Sequence, residues 1–190
     1  QKEFKLDDKK VAEIVDAIKD WIDEDSITTG YGAESSYYTS LNPAYEAKNA
    51  PLDCIEELLM IKGITREIFY GTKEKPALSQ YVTTDSDGMI NINTASKIVF
   101  RALSPEIDAE TADRLDEYRK KEGNDLSSSQ WYRQVLGMAG VNISPALITV
   151  KSNYFKIISV GSMKNMTQSL SGVIKRADDK SVRIIKWRQD

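Results

Sequence analysis

Three aspartates and a glutamate fall within Asp20-Trp21-Ile22-Asp23-Glu24-Asp25, and Glu34 follows at the end of Gly30-Tyr31-Gly32-Ala33-Glu34. Carboxylates this close repel one another unless solvent or a cation neutralises them. A glycine-rich turn can swing Glu34 back toward the same point, which produces the oxygen-rich, flexible surroundings that a hard cation such as calcium prefers. The spacing is not that of an EF-hand loop. The alternative reading is a solvated acidic helix end. Asp85-Ser86-Asp87-Gly88 repeats the theme with two carboxylates, Asp85 and Asp87, in a turn sequence; a plain turn and a second cation site both fit it.

Other chemistries lack their residues. The 190-residue chain contains no histidine, so the commonest general base and the commonest transition-metal ligand are both missing. The single cysteine, Cys54, excludes an internal disulfide, and its neighbours Leu52, Ile55, Leu58 and Leu59 predict a buried thiol. What remains for an enzyme is a carboxylate-dependent hydrolase using an Asp/Glu pair, with nothing in the sequence to mark a substrate cleft. The net charge of -3 supplies no general attraction to nucleic acid or to anionic membranes. No apolar run reaches the roughly 20 residues of a membrane span. The chain opens on Gln1-Lys2-Glu3 without methionine, which suggests a processed or truncated piece.

The elements that must position the acidic residues follow from periodicity. Lys9 to Ile22 places Val11, Ile14, Val15, Ile18 and Ile22 at helical spacing, with Trp21 beside them. Ser35 to Asn49 reads as an ordered polar and aromatic loop broken by Pro43. Pro51 opens a helix with Ile55, Leu58 and Leu59 on its apolar face; Gly63 stops it, and Thr65 caps a shorter helix with Ile68, Phe69 and Tyr70. After a connector containing Leu78, Tyr81 and Val82, alternation at Ile90–Asn93 gives way to a helix capped by Asn93 or Thr94. Asp108 caps the next helix, with Ala112, Leu115 and Tyr118 inward and Gly123 at its end. Ser127 and Gln130 have the form of a capping box before Trp131, Val135 and Leu136.

From Ile148 the pattern turns to strands: Tyr154 to Val160, Leu170 to Arg176 and Val182 to Arg188, an antiparallel meander. The alternation of Leu170, Gly172 and Ile174 predicts one buried face, with the stripe of the first helix as its partner. Trp21 and Trp187 are both expected in the core. The predicted class is α+β, divided as an N-terminal helix (1–22), an inserted α-helical domain (23–147) and a closing antiparallel sheet (148–190).

Ile61-Lys62-Gly63-Ile64-Thr65 and the pair of helices on either side of Leu103–Asp108 resemble helix-hairpin-helix units. A nucleic-acid-binding protein is therefore an alternative, although Glu56, Glu57 and Glu67 flank the first hairpin and phosphate binding needs basic surface.

A more extensive resemblance runs along nearly the whole chain. The order Asp20-Trp21-Ile22-Asp23-Glu24-Asp25, Gly32-Ala33-Glu34, Tyr37-Tyr38, Asn49-Ala50-Pro51-Leu52, Glu57 to Thr65, Tyr81-Val82-Thr83, Ile90 to Ala95 and Ser152-Asn153-Tyr154-Phe155 is similar to the minor pseudopilin K (GspK) family of type II secretion systems. The resemblance implies a pseudopilin fold, an N-terminal helix on an antiparallel sheet with a large α-domain inserted. It also implies a non-enzymatic role at the tip of the periplasmic pseudopilus. The I and J minor pseudopilins are the implied partners, with the major pseudopilin, the outer-membrane secretin and exported proteins as further contacts and no nucleic acid. The implied location is the periplasm of a Gram-negative bacterium, behind an inner-membrane anchor that continues the first helix upstream. Calcium is the implied structural cofactor, with Asp20, Asp23, Asp25 and Glu34 as the matching acidic positions and Asp85 and Asp87 as a second candidate pair. The family's α-domain often carries a disulfide; lone Cys54 cannot form one, so packing or a bound cation must supply that stability.

Overall fold

Asp7 starts the first helix, α1 (Asp8–Ile22), by accepting the Lys10 N–H at 2.7 Å. Asp8 in the first turn and Lys19 in the last complement the helix dipole. Ile14, Ala17 and Trp21 are buried on one face, and α1 ends where the Asp23 N–H donates to the Lys19 carbonyl. This is a computed structural model, and it describes residues 3–189. Residues 1, 2 and 190, the outer ends of the first and last predicted segments, lie outside them.

The chain divides into two compact units, Gln1–Thr84 and Asp85–Asp190. In the first, the α1 stripe is closed by Ala33, Tyr38, Leu58, Ile61, Ile64 and Phe69. Of the predicted stripe, Ile14 is buried here with Ala17 and Trp21, whereas Val15 and Ile22 are exposed. The predicted loop at Ser35 begins with one helical turn, α2 (Ser35–Tyr38), which sets Tyr38 edge-on to Trp21 at 5.1 Å between centroids and stacked on Tyr45 at 5.3 Å.

The segment after Pro51 forms a tighter 3-10 turn, Ile55–Met60, rather than an α-helix opened by Pro51. Glu57 reaches back to accept the Asp53 and Cys54 N–H groups at 2.8 and 3.3 Å, and Lys48 neutralises it at 2.9 Å. These bonds fix a single short turn. They leave Cys54 exposed, contrary to the buried thiol expected, while Leu58 faces the core. Gly63 follows at φ +89, where a Cβ would sit 3.1 Å from Ile14 Cγ1, so the turn can press on α1 only with glycine. Thr65 then caps α3 (Arg66–Tyr70) through the Ile68 N–H, as expected.

In the second unit β1 (Ile90–Asn91) pairs in parallel with β2 (Ile148–Thr149). Between them lie α4 (Lys97–Leu103), α5 (Ala109–Lys120) and a 3-10 turn, Trp131–Gln134. Their core includes Phe100, Leu115, Trp131, Tyr132 and Met138. Ser96, not Asn93 or Thr94, caps α4. Asn93 is committed elsewhere: it accepts the Trp131 indole N–H at 2.8 Å and donates to the Leu126 carbonyl at 3.1 Å. Asp108 caps α5 as the sequence predicts. The Ser127–Gln130 capping box does not form; Ser128 accepts the Gln130 N–H instead, and Leu136 is exposed.

The three-stranded meander is present as β3 (Tyr154–Met163), β4 (Met166–Arg176) and β5 (Val182–Gln189), antiparallel in that order. Its register brings Phe155, Ile157, Leu170, Ile174 and Trp187 onto one face. That face is not buried: Ile157 is 50% exposed, Ile184 71% and Trp187 70%. The expected core role of Trp187 therefore fails, whereas Trp21 at 2% fills it.

Candidate metal centre

The acidic stretch leaves the end of α1 and is stitched back along it. Asp20, fully buried, accepts the Thr29 N–H on both oxygens at 3.0 and 3.2 Å. Asp16, one turn earlier, accepts the Tyr31 N–H at 2.9 Å. A Cβ on Gly32 would run into Asp20 Oδ2, so the loop can approach the carboxylate only at glycine. Lys62 Nζ donates to the Tyr31 and Gly32 carbonyls, both at 3.0 Å, and closes the loop from the other side. This folds residues 26–33 back on themselves and returns Glu34 beside the start of the stretch.

Asp23, Asp25 and Glu34 each present a carboxylate oxygen to one point, and these atoms lie within 4.8 Å of one another. Glu34 is 3% exposed, Asp23 half-buried and Asp25 exposed. Both Glu34 oxygens and Asp23 Oδ1 are sealed from solvent and accept no hydrogen bond. Burial first, and then the charges of Asp20 and Asp23, push the Glu34 carboxyl above its ordinary value. Buried carboxylate oxygens without donors are costly, and a hard cation relieves that cost by taking oxygen ligands at short range. The residues present therefore fit calcium.

Asp20 stands apart from this trio, because its oxygens are engaged by Thr29. Of the second pair, Asp85 forms an ion pair with Lys186 at 2.8 Å and Asp87 accepts the Met89 N–H, so neither joins a three-carboxylate group among the described residues. Sequence reasoning missed Asp16. Its signal is position: it lies four residues before Asp20, on the same face of the helix.

The hairpin around Gly63 does not present its lysine outward as a phosphate site would require. Lys62 is turned onto the acidic loop and lies 5.2 Å from the Tyr37 ring centre. A depression of about 230 Å³ on the sheet, lined by Ser159, Gly161, Gln168, Ser169, Leu170 and Gln189, contains no carboxylate.

The segment that carries this geometry is similar to known proteins. Residues 2–84, the segment that contains the acidic loop, match the family described as type II secretion system (T2SS), protein K. Curated relatives extend the match: the type II secretion system protein K of Aeromonas hydrophila is 23% identical over 97% of this chain and 56% of its own length. Over residues 2–84 the chain is thus similar to the type II secretion system protein K family. The protein K of Pseudomonas aeruginosa is 28% identical over 90% of this chain and 49% of its own length, and the putative protein K of Escherichia coli K12 is 36% identical over 52% and 30%. The chain thus spans about half the length of the first two relatives. Among solved structures, a chain of the crystal structure of the GspK-GspI-GspJ complex from enterotoxigenic Escherichia coli matches with a TM-score of 0.75 at 19% identity, covering 97% of this chain and 65% of that one. The fold is accordingly the mixed helix and antiparallel-sheet arrangement of that protein. Among the described residues no helix is long and apolar enough to cross a membrane.

Proposed function

We propose that this chain is the periplasmic portion of a minor pseudopilin K, non-enzymatic, that caps the tip of the pseudopilus with the I and J minor pseudopilins and so supports export across the outer membrane. The observation that carries the reading is the TM-score of 0.75 over 97% of the chain to a structure named for the GspK-GspI-GspJ complex. The long helical stretch between α1 and the meander is the domain that the pseudopilin layout inserts. The apolar face of the meander is the surface on which that layout sets a helix, and an apolar patch of this kind marks an interaction site. In the same reading an inner-membrane anchor precedes the chain, the major pseudopilin continues the filament below it, and the inserted helices meet the secretin and exported proteins.

Calcium is the proposed structural cofactor, held by Asp23, Asp25 and Glu34. When bound it would supply positive charge to three crowded carboxylates and tie the end of α1 to the start of α2.

The test of the assembly role is co-expression with the I and J pseudopilins of the same organism, followed by size-exclusion chromatography with light scattering. A stable ternary complex is expected. Elution of all three as separate species at micromolar concentration would overturn it.

A further inference from the structure

Among the described residues the meander ends in two edge strands, β3 and β5. The outer N–H and C=O groups of an edge strand are left for solvent or for another strand. The two edges are built differently. β5 carries the devices that keep a strand from pairing further. Arg183, Lys186 and Arg188 lie along it, and it is bulged where Val173 pairs with Lys186 but Ile174 with Ile184, leaving Ile185 as the extra residue. β3 has only Lys156. Its ten residues pair with β4 in unbroken register, from Tyr154 opposite Lys175 to Met163 opposite Met166. Apolar side chains are exposed on both of its faces, Ile158 at 61% and Val160 at 60% on one, Phe155, Ile157 and Met163 on the other. A long, regular, apolar edge is a template for a further strand.

We propose that this edge pairs with β3 of a second copy of the chain, antiparallel and centred on Ser159, to give one continuous six-stranded sheet. The contact uses the edge of the sheet and is separate from its apolar face. Residues opposite one another in an antiparallel pair share a face, so the twofold axis must fall on a residue and not between two. With the axis at Ser159, Phe155 lies opposite the partner's Met163, Ile158 opposite the partner's Val160, and Ile157 opposite the partner's Gly161. Ile158 and Val160 then cover each other, and the aromatic–methionine pair adds a favourable contact. Lys156 meets the partner's Ser162 and not a second lysine. The same operation on β5 would crowd Arg183, Lys186 and Arg188 against their own copies, which like charges oppose. Main-chain hydrogen bonds along one strand supply the affinity and the side-chain pairs set the register.

The experiment is sedimentation of the whole chain over a concentration series. A reversible dimer with a dissociation constant on the order of 10–100 µM is expected for so small an interface. Ile158→Lys should weaken it about tenfold or more, because a lysine from each copy then flanks the axis. Ile184→Lys, on the other edge strand and on the apolar face, should leave it unchanged. In a Cys54→Ser background, Ser159→Cys places the only thiol on the axis. Mild oxidation should link its copies faster than the exposed Cys54 links wild type. A wild type that stays monomeric at about 500 µM would overturn the proposal, since even weak specific pairing shows at that concentration. An ineffective Ile158→Lys would overturn it as well. Equal weakening by both lysine variants would mean that apolar faces stack, and a dimer that Ser159→Cys does not trap would mean a different contact; either result overturns it. If Ile158→Lys fails to fold by circular dichroism, the cross-link decides, its fast formation supporting the edge contact and its absence overturning it.

Discussion

Two tryptophans occupy opposite situations. Trp21 is 2% exposed, packed edge-on to Tyr38 beneath the acidic loop; Trp187 is 70% exposed on the meander. Both sit in apolar patterns that predict burial, Trp21 by helical period and Trp187 by strand alternation. The difference teaches that periodicity identifies a face that wants covering, while the cover itself is a tertiary fact. In the first unit the hairpin of Leu58, Ile61, Ile64 and Phe69 provides it. The meander keeps Ile157, Ile184 and Trp187 exposed, an arrangement common for surfaces made to meet another element.

The sharpest way to break this comparison is to truncate both rings. Trp21→Ala should cost about 3–5 kcal/mol, the usual cost of emptying a large core site. Trp187→Ala should change stability by less than about 0.5 kcal/mol in the isolated chain. Urea denaturation of the two variants measures both. Equal costs would mean that the sheet face is covered in solution.

Next in size is the loop that carries the site. Gly32→Ala puts a methyl group against Asp20 Oδ2, so either the loop or α1 must shift. A loss of about 1–3 kcal/mol is expected, in the range for overpacking a tight contact. A matching change at Gly161, where a Cβ meets nothing within 4 Å, should be far milder. Thermal melts of the pair test whether the acidic loop is as rigidly seated as its hydrogen bonds imply.

The smallest effect concerns charge. Burial together with Asp20 and Asp23 holds the folded-state Glu34 carboxyl above its ordinary value, so the folded chain binds a proton that the unfolded chain releases. In cation-free buffer this group therefore adds stability as pH falls from the raised folded value toward the ordinary unfolded one, and withdraws it as pH rises. Glu34→Gln should lack that increment and melt higher than wild type above the window. Added calcium should reverse the order by raising only the wild-type melting temperature, and a chelator should restore it. A wild-type melting temperature indifferent to calcium would argue against the cation reading.

Much of the local structure was legible in the chain itself. The α1 stripe, the glycine turn at Gly63, the caps Thr65 and Asp108 and the three strands of the meander all depend on backbone preference and on spacing within a few residues. The acidic stretch was visible as a candidate site for the same reason, since Asp20, Asp23 and Asp25 crowd within six residues. Where a residue could serve two partners, sequence was silent. Ser96 became the cap because Asn93 was taken by Trp131, and Cys54 turned outward because Glu57 claimed the backbone beside it.

The same holds at the site. Tertiary structure alone separated Asp20, which Thr29 satisfies, from Asp23, Asp25 and Glu34, which converge with buried oxygens left without donors. It also brought Asn49 to Asp25 across a sequence separation of 24. Spacing along a sequence determines which groups share a helix face or a turn. Which carboxylate finds an N–H and which is left without a donor depends on how distant segments are pressed together, and only the folded chain decides that.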